Sequence, residues 1–129
     1  MKKNIQISTN PSLVMGCILS WLRQQASLDQ RGMAQCLGIT QASWSRIENG
    51  HATANIEQII NSCKAMGVEF VYVAQLYTYI CSQLEKKSVL VSSNMDEDRS
   101  SEIRMIVKEA IAEHALSVSN KALQPTSGN

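Results

Sequence analysis

Residues 28–50, Leu-Asp-Gln-Arg-Gly-Met-Ala-Gln-Cys-Leu-Gly-Ile-Thr-Gln-Ala-Ser-Trp-Ser-Arg-Ile-Glu-Asn-Gly, constrain the fold more than any other stretch of this chain. Apolar residues fall at Met33, Ala34 and Leu37 before Gly38, and at Ile39, Trp44 and Ile47 after it. Each set keeps helical spacing over only two turns or so, and a glycine between them permits a tight left-handed turn. The pattern predicts helices over 30–37 and 41–49 that share one core. Asp29 and Thr40 stand where N-caps are needed. The second helix keeps a polar outer face of Gln41, Ala42, Ser45, Arg46 and Asn49.

Two short helices, a glycine turn and a polar outer face describe a helix-turn-helix, whose second helix is sized for the major groove of DNA. The stretch resembles the Xre/Cro/phage-repressor family of helix-turn-helix regulators. The resemblance rests on Leu28, Gln30, Ala34, Leu37, Gly38, Ile39, Thr40, Trp44, Ser45, Ile47, Glu48 and Gly50, with Met33 in a leucine slot, and it spans about residues 12–68. Asp29 replaces the usual Thr or Ser and caps equally well. Gly32 replaces a usual Glu within a helix, at a cost of about 1 kcal/mol.

The resemblance implies roles for individual side chains. Gln41, Ala42 and Arg46 map to base-contacting positions, with Ser45 as a common addition. Gln can pair bidentately with adenine, Arg with guanine, and Ala can meet a thymine methyl. Arg46 has a second reading as a phosphate contact or a solvated charge. Gln30 maps to a residue that meets a phosphate and braces the first residue of the second helix. Ser43, Asn49, His51 and Thr53 are placed to meet phosphates, with Arg31 adding charge; for each an ordinary solvated side chain is the competing reading. Arg23 and Glu48 map to a structural ion pair. Trp44 falls in a buried slot rather than a base-stacking one.

Around this motif the helix signals continue. Asn10-Pro11 starts a helix that runs to about Gln25. Asn55 and Gln58 form a capping-box pattern before Ile56, Ile59, Ile60, Cys63 and Met66, and Gly67 ends that helix. From Val68 two readings compete. Val68–Val73 is β-branched and aromatic, which favours a strand. Phe70, Val73, Tyr77, Ile80 and Leu84 recur at helical spacing, which favours one long helix. The strand over 68–73 followed by a helix over 75–87 is preferred, with a second short strand over 88–92. Residues 93–98 read as a linker and helix start, and a last helix is expected over about 98–117. The fold class is therefore mainly α: a lambda-repressor-like helix-turn-helix domain of four to five helices, plus an extension with a short strand and one or two helices. The expected division is 1–67 for the helix-turn-helix domain, 68–118 for a dimerisation extension and 119–129 for a disordered tail.

Charge and cysteine usage fit this reading. The formal net charge is +1, but residues 1–67 hold six basic against three acidic residues, while residues 68–129 hold six against eight. The basic excess lies with the motif. Cys17, Cys36, Cys63 and Cys81 show no paired spacing, which fits reduced thiols in a cytoplasm. Cys36 occupies an exposed slot and is expected to be the reactive one. No apolar run of 18 residues suggests a membrane span, and the basic N-terminus lacks the apolar core of a secretory signal. His51 and His114 are isolated, and no metal-ligand spacing, phosphate loop or nucleophile elbow occurs. No enzymatic activity, metal or cofactor is expected.

The expected partner is double-stranded DNA, bound by a homodimeric repressor on a palindromic operator. Ile18 and Trp21 lie on a side of helix 1 that the family leaves wet. Tyr77, Ile80, Leu84, Ile103, Ile106, Val107 and Ile111 add further apolar surface beyond the motif. Residues 68–116 are expected to pack partly on helix 1 and mostly on a second copy of themselves, giving a two-fold dimer. An antitoxin whose C-terminal half binds a toxin is the alternative. A helix-turn-helix that only scaffolds other proteins is opposed by the Gln- and Arg-bearing face.

Overall fold

Asn10 accepts a hydrogen bond from Leu13 N at 2.9 Å, and Pro11 follows it at the first helical position. That cap starts α1, Pro11–Gln25, in a computed structural model that describes residues 7–92 and 100–123. The order is β1 (Ile7–Thr9), α1, α2 (Gln30–Leu37), α3 (Gln41–Glu48), α4 (Ile56–Met66), α5 (Phe70–Lys86), β2 (Val89–Val91) and α6 (Ser100–Leu123). Asp29, Thr40 and Asn55 cap α2, α3 and α4, and Gln58 closes the capping box at Asn55. Gly38 and Gly67 end α2 and α4 with φ of 69° and 70°. These are left-handed conformations that glycine adopts without steric cost.

Residues 68–73 are not a strand. Glu69 precedes the first turn of α5, and Val73, Leu76, Ile80 and Leu84 form one fully buried stripe along it. A stripe at three- and four-residue spacing packs against a helical layer. Extended chain would have turned Val73 to the face opposite Leu76, Ile80 and Leu84, so tertiary packing overrides β propensity here. The strand signal over 88–92 is realised as β2. Its partner is β1, which nothing in the sequence pattern singled out. They pair in parallel with Ile7 opposite Val89 and Thr9 opposite Val91. The last helix reaches Leu123, so residues 119–123 continue it instead of beginning an irregular tail. The linker at 93–98 lies outside the described residues, and so does the remainder of the tail, 124–129.

α1 is the hub. It packs on α3, α4, α5 and α6. One buried cluster joins Leu13, Leu19 and Trp44 of the motif half to Val73, Ile80, Ile103 and Ile111 beyond it, so the core runs across residue 68 without a break. Ile18, Ile80, Leu84, Ile103, Val107 and Ile111 are buried within the single chain, while Trp21, Tyr77 and Ile106 are partly covered. α5 and α6 cover the side of α1 that carries Ile18. The cover predicted to come mostly from a second copy comes from this chain's own last two long helices.

Cys36 is exposed, Cys81 is partly covered, and Cys17 and Cys63 are buried. Burial also pushes the Cys17 and Cys63 thiols above their usual pKa, so the nucleophilic thiolate is doubly suppressed there. Iodoacetamide is expected to label Cys36 first and Cys81 slowly, and to reach Cys17 and Cys63 only on unfolding. Peptide mass spectrometry of the native protein checks this order. Labelling of Cys17 as fast as Cys36 would contradict the packing of α1.

Candidate nucleic-acid interface

The second helix of the pair, α3, is held from its inner side. Trp44 is fully buried and Ile47 nearly so. Glu48 is 5% exposed yet charged, and four donors converge on it. Arg23 donates through Nε to Glu48 Oε2 at 2.6 Å and through Nη2 to Oε1 at 3.1 Å. Gln30 Nε2 donates to Oε1 at 2.9 Å, and the Trp44 indole N–H donates to Oε2. Arg23 uses its remaining terminal nitrogen on Leu28 O at 2.8 Å, in the turn between α1 and α2. One carboxylate thus ties together α1, the start of α2 and the core side of α3. A buried charge is tolerable only with this degree of pairing.

With the inner side fixed, the opposite side of α3 faces outward. Gln41, Ala42, Ser43 and Arg46 are exposed, and Ser45 is partly so. Arg46 Nη2 lies against His51 O at 3.3 Å, a long contact on an exposed side chain. Four of its five N–H donors stay available. Ser43 and Thr40 belong to the cap: Ser43 N donates to Thr40 Oγ1 at 3.0 Å. Gln30 Nε2 is spent on the buried carboxylate of Glu48, and one of its two amide protons is left over. Arg31 and His51 are exposed. Thr53 is also exposed, and its hydroxyl meets Ser12 Oγ at 2.8 Å, which ties the loop after α3 to the start of α1.

Asn49 has a partner the sequence did not announce. Its Nδ2 donates to Ser45 Oγ at 3.3 Å. Its Oδ1 accepts from Arg104 Nη1 at 3.0 Å, and its main-chain oxygen accepts from Arg104 Nη2. A guanidinium from α6 therefore sits on the C-terminal end of α3, where a positive charge offsets the helix dipole. Nothing in the sequence pattern marks Arg104, which lies in the acidic stretch 68–129 where summed charge hides single cations. Among the described residues no group of His, Cys, Asp and Glu is placed to hold a metal ion, and no helix is long and apolar enough to cross a membrane.

Residues 14–75 match the family model of a helix-turn-helix domain. The fold is a helix-turn-helix domain with a C-terminal extension. The matched segment runs from α1 into the start of α5. No curated protein matches the chain. Among solved structures, the clp gene regulator ClgR from C. glutamicum is similar, with a TM-score of 0.52 and 18% identity. The likeness covers 59% of this chain and 95% of that one. At that identity it speaks for the fold alone.

Proposed function

We propose that this protein is a sequence-specific DNA-binding transcriptional regulator of the Xre/Cro/phage-repressor type, acting as a repressor through α3. The observation that carries the reading is the division of α3 between two roles. Trp44, Ile47 and Glu48 anchor it, while Gln41, Ala42, Ser45 and Arg46 stand on the side away from the core. A helix fixed from behind and furnished in front with amide, methyl, hydroxyl and guanidinium groups suits base edges in the major groove. Around it, Gln30, Arg31, Ser43, Asn49, His51 and Thr53 are polar groups for the flanking phosphates. A single copy offers few base contacts, so the reading includes a two-fold dimer on a palindromic operator. Surface for a second copy remains in the exposed apolar side chains Ile56, Phe70, Val71, Leu90, Met105 and Leu116.

Capture of genomic fragments followed by sequencing is expected to return one enriched palindromic motif. Gln41→Ala and Arg46→Ala are each expected to relax base preference at one position of that motif, at a cost of about 1–3 kcal/mol in binding. Both side chains are exposed, so the melting temperature is expected to stay within about a degree of the parent's, as for surface changes generally. Two variants that melt several degrees lower and keep the parent's base preference at every position would remove α3 from the reading role.

A further inference from the structure

Beside the end of α3 lies a polar cleft of about 540 Å³, walled by α1, the start of α2 and α6. Trp21, Gln24, Gln30, Asn49, Arg104 and Lys108 line it, with Cys17 beneath. Arg104 and Lys108 are one helical turn apart on α6, so both reach the same wall. Their positive charges act on the Cys17 thiol from that wall, against the larger effect of its burial. The carboxylate lining the cleft, Glu48, is occupied by Arg23. Among the described residues no carboxylate pairs with Lys108 or Arg104. The cleft thus carries two uncompensated cations. Arg104 uses two N–H groups on Asn49 and keeps three for another acceptor.

Two of the lining residues, Gln30 and Asn49, are also the polar groups proposed above to meet DNA phosphates. We propose that this cleft is a DNA backbone-phosphate site, and that the C-terminal helix supplies its charge through Arg104 and Lys108. The proposal rests on the reading of α3 as the recognition helix. It moves part of the electrostatic footprint onto a half of the chain that is acidic by count. It also gives α6 two tasks: Arg104 holds the end of α3 in place, and Lys108 adds charge without touching α3's main chain. Each phosphate neutralised releases counterions, so its loss is read as a shallower salt dependence.

The test uses the full chain and a DNA fragment that it selects, with binding isotherms at several salt concentrations between 50 and 200 mM, a range chosen for its steep electrostatics. Lys108→Gln is expected to flatten the slope of log K against log salt by about 0.9 and to weaken binding roughly five- to tenfold near 150 mM salt. The order of preference among fragments is expected to stay the same. Lys108→Arg is expected to restore both. Lys86→Gln, which removes a charge outside the cleft, is expected to leave the slope unchanged. Arg104→Gln is expected to flatten the slope as well and, because it frees Asn49, to lower the melting temperature. If Lys108→Gln binds with the parent's slope and affinity, or if Lys86→Gln loses as much, the cleft is not a phosphate site, while α3's role stands. If the parent chain selects no DNA at all, both readings fall together.

Discussion

Replacing Glu48 by alanine is expected to cost about 3–5 kcal/mol of folding stability, the range for removing one partner of a buried ion pair. The carboxylate accepts from Arg23 twice, from Gln30 and from the Trp44 indole. Its removal strands a guanidinium that is 9% exposed, and leaves the indole N–H facing a void. Small domains hold only about 5–15 kcal/mol in all. The variant is therefore expected to lose a large share of its stability, visible as a lower urea midpoint with little change in slope. Glu48→Gln keeps the shape but turns an NH2 group toward donors, so it is expected to recover only part of the loss. Combining Glu48→Leu with Arg23→Met removes both charges and is expected to recover more than half, although Gln30, Trp44 and Leu28 O still lack their partners. A loss below about 1 kcal/mol for Glu48→Ala would place the pair in solvent, where such pairs contribute little.

The second large effect comes from a residue with no side chain. Gly16 lies where α1 crosses the end of α3. A Cβ there would sit 2.3 Å from Ile47 O and 2.9 Å from Glu48 O. Both atoms are main chain, so no rotamer change relieves the contact and the two helices must separate. Gly16→Ala is expected to destabilise the fold by about 1–3 kcal/mol or somewhat more, even after the gain in helix propensity. It is also expected to weaken DNA binding further than the stability loss explains, because the displaced element carries the proposed reading side chains. The same exchange at Gly32 meets only the side chains of Asp29, at 3.0 Å, and Leu28, at 3.8 Å. There the change is expected to stay below about 1 kcal/mol. Thermal melts of the two variants side by side decide the matter. Equal effects would show that the α1–α3 contact is looser than described.

Much of the motif half was legible because its signals are local. Asn10-Pro11, Asp29, Thr40, Asn55 with Gln58, and the glycines at 38 and 67 act on the turn in which they sit, so their spacing carries the helix boundaries. The meeting of Arg23 with Glu48 was legible for another reason: a buried charge demands a partner, and the resemblance supplied it. The parts that were not legible depend on chain far away. Val68–Val73 satisfies both the strand and the helix pattern, and only α1 and α6 against Val73, Leu76 and Ile80 decide between them. The apolar content of residues 68–116 gave an amount of surface to cover, not what covers it, so a second copy was invoked where Ile18 meets the chain's own helices. The hydrogen bond from Gln30 to Glu48 was not legible, because pattern does not rank the acceptors a side chain can reach. Arg104 was passed over because a net charge summed along sequence is blind to which face each cation occupies.

The short parallel pair has a consequence for the order in which this chain acquires its structure. Ile7 and Val89 lie at opposite ends of nearly the whole described core, and Ser92 N reaches back to Thr9 O at 2.8 Å. Closing so long a loop carries an entropy cost that nothing local repays. The contacts of α2 with α3, of α1 with α3 and of α2 with α4 close shorter loops, so they are placed to form before it. The strand pair can then close only once α5 has docked and brought its end beside the start of α1. It works as a latch that fastens the stretch of chain after α5 to the segment before α1.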